Sequence, residues 1–221
     1  MILVGNEFSA RDAYLNKNYK LAKNQYKSLV KESPNNISFQ YNLGATYYRL
    51  NDLINAKIHF LKALKQNPNN KDILFNLKII NKNFIDQDLF FDTHWNQIVG
   101  WPMNLIMVLM LLCSIPLLLV TIFLLKTKKV KIIKRPMIIL GVLWTASLIV
   151  VITLNMKQPR YGLVTTKKIS IFSGPSETQK KLFYVHEGTE FKILKSTKTW
   201  HQIQFSNGLK GWIEGINIIS I

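Results

Sequence analysis

The chain has 221 residues and a formal net charge of +17, and its length allows one or two ordinary domains. So positive a chain raises the question of nucleic acid, but the lysines are spread along it and no basic motif with interleaved aromatic residues occurs, so we predict no nucleic-acid binding. Its four histidines and single cysteine, Cys113, lack metal-ligand spacing, and no nucleophile or phosphate-binding motif is present. We therefore predict neither an enzyme nor a cofactor.

Residues 1–84 predict an α-helical array with a repeat of 34 residues. Small residues mark the point where two antiparallel helices cross, bulky ones fill the space between them, and a proline ends each pair. The positions related by the repeat are Ala10 with Gly44, Tyr19 with Leu53, Ala22 with Ala56, Tyr26 with Phe60 and Pro34 with Pro68. Asn51 and Asp52 supply the turn inside the second pair. This pattern resembles the tetratricopeptide repeat.

In tetratricopeptide repeats the first helix of each pair lines a concave groove, so the resemblance implies a peptide-binding face here. Tyrosines offer amphipathic contact area and arginines pair with carboxylates, which would suit an extended peptide or a chain terminus. The alternative is that these tyrosines only pack the helix pair. The residues that the repeat spacing places on this face, or beside it, are Arg11, Tyr14, Tyr41, Asn42, Ala45, Tyr48 and Arg49.

A third helix over 71–84 is typical of the helix that caps such an array. It carries a second apolar stripe, Phe75 and Ile79, for which we expect contact with a partner or the membrane. Residues 85–104 form a junction with three aspartates and no lysine or arginine. Its two tryptophans either anchor the chain at a membrane interface or pack beneath the repeats. They are Trp95 and Trp101.

Residues 105–125 and 136–156 predict two transmembrane helices, because neither stretch contains a charged residue. Each would span about 31 Å as a helix, close to the hydrocarbon thickness of a bilayer. The alternative, two helices buried in a soluble core, predicts a polar stripe that both stretches lack. No charged residue lies within either span, which argues against an ion or proton path.

The loop 126–135 between the spans carries six positive charges, which the positive-inside rule assigns to the cytoplasm. We then expect both terminal domains to lie across the membrane from this loop, in the periplasm or outside. The same charges would attract anionic lipid head groups. The loop's basic residues are Lys126, Lys128, Lys129, Lys131, Lys134 and Arg135.

Translocation of the array requires a signal sequence, and the apolar residues Met1 to Gly5 are too few for one. We expect the remainder of a signal upstream. Otherwise the N-terminal domain stays cytoplasmic and this topology fails.

Residues 162–221 predict a small all-β barrel of short alternating strands. Turn-forming residues separate the strands at 173–176, 187–189 and 207–208. By alternation, Trp200 lies opposite Ile203, and Trp212 lies opposite Leu209 and Ile213. These tryptophans, with Tyr184, either line a ligand groove or cover the end of the barrel. For Trp212 we favour the structural role, and for Trp200 both readings stay open.

The GPS at 174–176, HEGT at 186–189 and NGLKGWIE at 207–214 resemble the bacterial SH3-like domain. Repeats, two spans and such a domain, in this order, resemble the BatE family of the Bat aerotolerance operons. That resemblance implies an envelope complex with von Willebrand factor A-domain membrane proteins and a MoxR-type ATPase. We therefore expect a protein-binding scaffold, and as the alternative a peptidoglycan-binding module that positions or regulates a wall enzyme.

Overall fold

The computed structural model describes residues 2–89, 144–145 and 160–221. Its first part is an array of five helices followed by one short 3-10 turn, Gln87–Leu89. The helices are α1 (Ile2–Leu15), α2 (Tyr19–Glu32), α3 (Ile37–Arg49), α4 (Leu53–Gln66) and α5 (Lys71–Asn81). We call α1–α5 with the residues up to Leu89 the helical array.

The predicted repeat of 34 residues is visible in the backbone. Side-chain oxygens cap the N-termini of α2 and α4 from Asn18 and Asp52, and those of α3 and α5 from Asn36 and Asn70. Such caps satisfy amide groups that have no partner within the helix. Lys17 and Asn51 take the left-handed conformation at equivalent turns, with φ of 61° and 59°. Each cap and each turn therefore recurs one repeat later.

The crossing between α3 and α4 confirms the predicted role of Gly44. A β-carbon at this position would lie 3.0 Å from the ring of Phe60 and 3.2 Å from the carbonyl oxygen of Ala56. Ala56 and Phe60 are 0% and 1% exposed. A larger residue than glycine would force the two helices apart.

The capping helix is shorter than predicted, because α5 ends at Asn81 rather than at residue 84. Its inner face buries Ile73, Leu77 and Ile80 as expected. Phe84 lies beyond the end of the helix and is nevertheless buried, with 7% of its surface exposed.

Arg160–Ile221 form an antiparallel β-domain, whose sheet has the strand order β3-β2-β6-β5-β4-β1-β7. The strands are β1 (Arg160–Val164), β2 (Lys168–Phe172), β3 (Lys181–His186), β4 (Glu190–Ser196), β5 (Trp200–Gln204), β6 (Lys210–Glu214) and β7 (Ile218–Ser220). The first and last of these were not predicted, and the domain begins at residue 160 rather than 162. They pair with each other, so the two ends of the domain meet at one edge of the sheet.

Alternate residues of six strands converge on one buried core, so the sheet curves around it. Phe191 and Phe205 contact each other edge to face in this core. Gly188 and Gly208 occupy turns at φ of 83° and 86°, as their turn motifs predict. Alternation placed Leu209 on the same face as Ile213. Ile213 is fully buried, whereas Leu209 is 47% exposed and lies outside the core.

The helical array and the β-domain belong to one compact unit, although some seventy residues separate them along the chain. The predicted spans, the basic loop and most of the junction lie outside the described residues, apart from Trp144 and Thr145, which are helical. No helix in the described ranges has both the length and the apolar character that a membrane crossing requires.

Candidate functional site

The predicted groove residues form two contacts between successive first helices of the array. Arg49 Nε of α3 donates a hydrogen bond to the hydroxyl of Tyr14 on α1, at 3.4 Å. Asn76 Nδ2 of α5 donates to the hydroxyl of Tyr41 on α3, at 2.9 Å. Each pair is separated by 35 residues, so the two contacts are successive steps along one face. The repeat spacing therefore brings α1, α3 and α5 side by side.

Three of the predicted groove residues are exposed to solvent. They are Arg11 of α1 and, on α3, Arg49 and Tyr48, of which Tyr48 is 39% exposed. Tyr14, Tyr41, Asn42 and Ala45 are half-buried. The ring of Tyr41 also packs against Phe60, with 5.4 Å between ring centroids. Part of the tyrosine surface thus serves packing, while Arg11 and Tyr48 remain open to a partner.

A second cluster of polar residues joins the helical array to the β-domain. Lys57 of α4 is fully buried, and its Nζ lies 2.8 Å from Glu190 Oε1. The same Nζ donates to the carbonyl oxygen of Gly188 at 2.9 Å and lies 5.1 Å from the ring centroid of Phe84. Burial lowers the pKa of the Lys57 ammonium, and the Glu190 carboxylate opposes that shift. We define the module joint as these contacts of Lys57 together with the contacts that Asp86 makes with His186 and Thr189.

Asp86 supplies the other half of the module joint. Its Oδ2 accepts hydrogen bonds from the backbone N–H of His186 at 2.6 Å and from Thr189 Oγ1 at 2.7 Å. Its Oδ1 lies 3.1 Å from His186 Nδ1. Burial alone would raise the pKa of Asp86, but the hydrogen bonds from Thr189 and His186 outweigh it and lower the pKa. The ionised carboxylate therefore favours the joint, which weakens as the pH falls below the ordinary aspartate value.

Apolar contacts close the module joint around these polar groups. A β-carbon on Gly188 would lie 2.5 Å from the ring of Phe84, so the ring occupies the space that a side chain would need. Leu89 packs against the core of the β-domain. Asp86 and Leu89, at the start of the predicted junction, thus take part in this contact. The HEGT motif at 186–189 is likewise occupied by the chain's own helical array.

The predicted ligand residues of the β-domain lie on the outer face of its sheet. Phe172 pairs with Trp212 across β2 and β6, and Ser170 pairs with Tyr184 across β2 and β3. Gln202, two residues after Trp200, also pairs with Trp212. The alternation along each strand therefore places both tryptophans opposite Ile203 and Ile213, as predicted.

Of the three aromatic side chains, Tyr184 presents the broadest surface to solvent. Trp200 is 9% exposed and packs edge-on against Phe172, with 5.5 Å between ring centroids. Tyr184 is 51% exposed, and Lys168 Nζ lies 4.3 Å from its ring centroid. Trp212 is half-buried. A ligand on this face would contact Tyr184 and Trp212, whereas Trp200 packs against Phe172 and serves the structure.

Comparison with known proteins identifies part of the helical array. Residues 38–70, which include α3 and α4, match the family model of the tetratricopeptide repeat. The chain contains a tetratricopeptide repeat. No curated protein matches the chain.

Two solved structures are similar to parts of the chain. An NlpC/P60 family protein from Bacillus cereus ATCC 10987 is 24% identical over 28% of this chain and 20% of its own, with a TM-score of 0.24. The first tetratricopeptide domain of Spaghetti (RPAP3), bound to the HSP90 peptide SRMEEVD, is 16% identical over 36% of this chain and 90% of its own. Its TM-score is also 0.24.

The residues of the module joint were missed by the sequence analysis. Lys57 is one of many lysines in the helical array, and its neighbours Ala56 and Phe60 already account for the buried face of α4. In the sequence, Asp86 was only one of three aspartates in the junction 85–104, which has no lysine or arginine. The one local signal was the apolar Phe84 placed after the end of the tetratricopeptide array, where a polar surface is expected. Within the described residues no group of three or more metal-ligating side chains occurs.

Proposed function

We propose that this protein is a membrane-anchored scaffold that binds partner proteins on the concave face of its tetratricopeptide array. The observation that carries the proposal is the continuous face of α1, α3 and α5, on which Tyr14–Arg49 and Tyr41–Asn76 form successive contacts. Arg11 and Tyr48 stay exposed on it. An arginine and an amphipathic aromatic side chain together suit an extended acidic peptide or a chain terminus.

In this proposal, residues 105–125 and 136–156 anchor the scaffold in the bacterial inner membrane. The support is the absence of charge in both stretches and the basic loop 126–135 between them, which the positive-inside rule assigns to the cytoplasm. The helical array and the β-domain then lie in the periplasm. The protein acts as an adaptor and carries out no reaction of its own.

The proposed partners follow from the resemblance to the BatE family. They are von Willebrand factor A-domain membrane proteins that work with a MoxR-type ATPase in an envelope complex linked to aerotolerance. The β-domain would be the SH3-like module of this scaffold, with exposed Tyr184 and half-buried Trp212 as its aromatic contacts.

The groove is tested by binding of a purified von Willebrand factor A-domain membrane protein to the full chain in detergent. Removing Arg11 and Tyr48 together by alanine substitution should weaken binding at least about tenfold, since such exposed anchors carry most interface energy. Neither side chain is part of the hydrogen bonds that hold α1, α3 and α5. The control is Lys31→Ala, an exposed position on α2 outside the groove. Equal binding by both variants, or no binding by the native chain, would refute the proposal.

The alternative function is a peptidoglycan-binding module that positions or regulates a wall enzyme. What favours it is the exposed outer face of the β-domain, with Tyr184, Trp212 and the nearby Lys168. Sedimentation of the full chain with purified peptidoglycan distinguishes the two. Binding that Tyr184→Ala abolishes and Arg11→Ala leaves intact supports the wall function; the reverse pattern with the protein partner supports the scaffold.

A further inference from the structure

We infer that the helical array and the β-domain are one rigid body divided by an inserted segment, so that the chain must cross the membrane an even number of times between them. This inference rests on the proposed membrane anchorage for its second half only. The rigid body itself stands on the contacts of the module joint, whatever the location of the protein.

The first step is that the module joint is too specific for two independent domains on a linker. A buried lysine is tolerated only when its charge is paired and its N–H groups are bonded. Lys57 obtains both partners, Glu190 and the Gly188 carbonyl, from the β-domain. If the two modules separated, Lys57, Asp86 and Phe84 would lose their partners together. The closed joint is therefore the ground state of the protein.

A second contact between the modules lies away from the HEGT turn. Lys65 Nζ, in the last turn of α4, donates a hydrogen bond to the carbonyl oxygen of Ile221 at 3.1 Å. Contacts from both halves of α4, together with Asp86 beyond α5, fix the β-domain in orientation as well as in position. The concave face of the array and the outer aromatic face of the sheet therefore keep a fixed arrangement.

The next step concerns the ends of the inserted segment. Leu89 packs on the β-domain core, and Arg160 begins β1 within the same domain. The segment between them thus leaves and re-enters a single folded body. That body carries exposed lysines on its helices and strands, such as Lys20, Lys78 and Lys195, so it lies wholly in water on one side of a membrane.

Between the two modules the chain must therefore cross the membrane an even number of times. The two uncharged stretches, 105–125 and 136–156, meet this requirement. An arrangement with the array in the cytoplasm and the β-domain in the periplasm is incompatible with a closed joint. The side of one module therefore determines the side of the other. Any partner that spans both modules must approach from the same compartment.

The joint is tested in the full chain by crosslinking across it. In a Cys113→Ser background, Lys65→Cys with Ile221→Cys joins two positions that are in contact between the modules and leaves the Lys57 and Asp86 contacts in place. A short bis-maleimide should crosslink this pair at least about tenfold faster than a control pair, because a docked contact raises the local concentration. The control is Lys65→Cys with Lys198→Cys, an exposed position in the turn after β4. Equal rates would overturn the rigid body.

The crossing number is tested by deleting residues 136–156 from the variant that carries the 65–221 cysteine pair. With one stretch left, the modules lie on opposite sides, and crosslinking should fall to the level of the control pair. Deleting 105–156 removes both stretches and should restore rapid crosslinking in a chain that no longer sediments with membranes. Full crosslinking in a membrane-bound chain with one stretch would refute the even number.

The two failures can be told apart. A native chain that crosslinks rapidly but stays soluble refutes the membrane anchor alone. A chain that sediments with membranes but does not crosslink refutes the rigid body alone.

Discussion

At the scale of single residues, His59 is a half-buried base whose environment keeps it neutral. It stacks on Tyr47 inside the tetratricopeptide repeat, with 5.4 Å between ring centroids. Gln40 Nε2 donates to the Pro34 carbonyl, so Gln40 Oε1 is the acceptor that faces His59 Nδ1 at 2.7 Å. Burial lowers the pKa of His59 to about 4, and Lys62 and Lys27 add to this, while Asp52 opposes it.

This shift predicts that the array loses stability between pH 6.5 and pH 4. The unfolded chain binds a proton at His59 over that range and the folded chain does not, so acid favours unfolding. The His59 contribution to the free energy of unfolding should fall by about 3 kcal/mol from pH 7 to pH 4. Thermal unfolding followed by circular dichroism at 222 nm should therefore show a smaller pH dependence in His59→Gln than in the native chain.

His201→Gln is the control for that measurement, because the pKa of His201 is also lowered by burial, but less far than that of His59. It should remove less of the pH dependence of unfolding than His59→Gln does. A His59→Gln variant with the pH dependence of the native chain would show that His59 is protonated in the folded state.

At the scale of elements, the turn between β3 and β4 is where the two modules meet. Gly188 and Gly208 both sit at a φ that disfavours other residues, but only Gly188 has a neighbour, the ring of Phe84, where a β-carbon would be. Gly188→Ala and Gly208→Ala should each cost about 1 kcal/mol from backbone strain. Gly188→Ala should cost more, because Phe84 must move out of the joint.

Amide hydrogen exchange separates these two effects. In Gly188→Ala, the amides of 84–89 should exchange faster than in the native chain, since Phe84 and Asp86 lose their partners. In Gly208→Ala they should keep native protection while the β5–β6 turn exchanges faster. If both glycine variants left residues 84–89 equally protected, the contact of Phe84 with Gly188 would not stabilise the joint.

The elements themselves were largely readable from the sequence, because local rules determine them. Gly44, Pro68 and the Asn51–Asp52 turn each act within one helix pair, and the repeat of 34 residues made them visible. Strands β2–β6 follow from alternation between turn residues. Strands β1 and β7 were not predicted: β7 has only three residues, and each pairs with the other from the opposite end of the domain.

The module joint could not be read in the same way. Lys57 and Gly188 are 131 residues apart, and nothing near Lys57 distinguishes it from a solvated lysine. Its burial depends on the shape of a domain at the other end of the chain. The concave face was predictable as a set of residues, but the hydrogen bonds that tie up Tyr14 and Tyr41 were not.

At the scale of the whole molecule, a body assembled from both ends of the chain should unfold as one. Closing a loop of some seventy residues costs entropy, but that cost grows only slowly with length. The joint must outweigh it, and its buried ion pair is the contact most sensitive to change. Breaking a buried pair by removing one partner costs about 3–5 kcal/mol, whereas replacing both partners with apolar residues is often neutral.

Lys57→Met should therefore lower the stability of the β-domain as well as that of the array, because Glu190 keeps its charge in a site that is 13% exposed. Hydrogen exchange at increasing denaturant should show α4 and β4 opening together in the native chain and separately in Lys57→Met. Adding Glu190→Leu should restore most of the lost stability and the common opening. Lys62→Met, half-buried on the same helix, should change neither. If Lys57→Met behaved like Lys62→Met, the ion pair would contribute nothing to the union of the two modules.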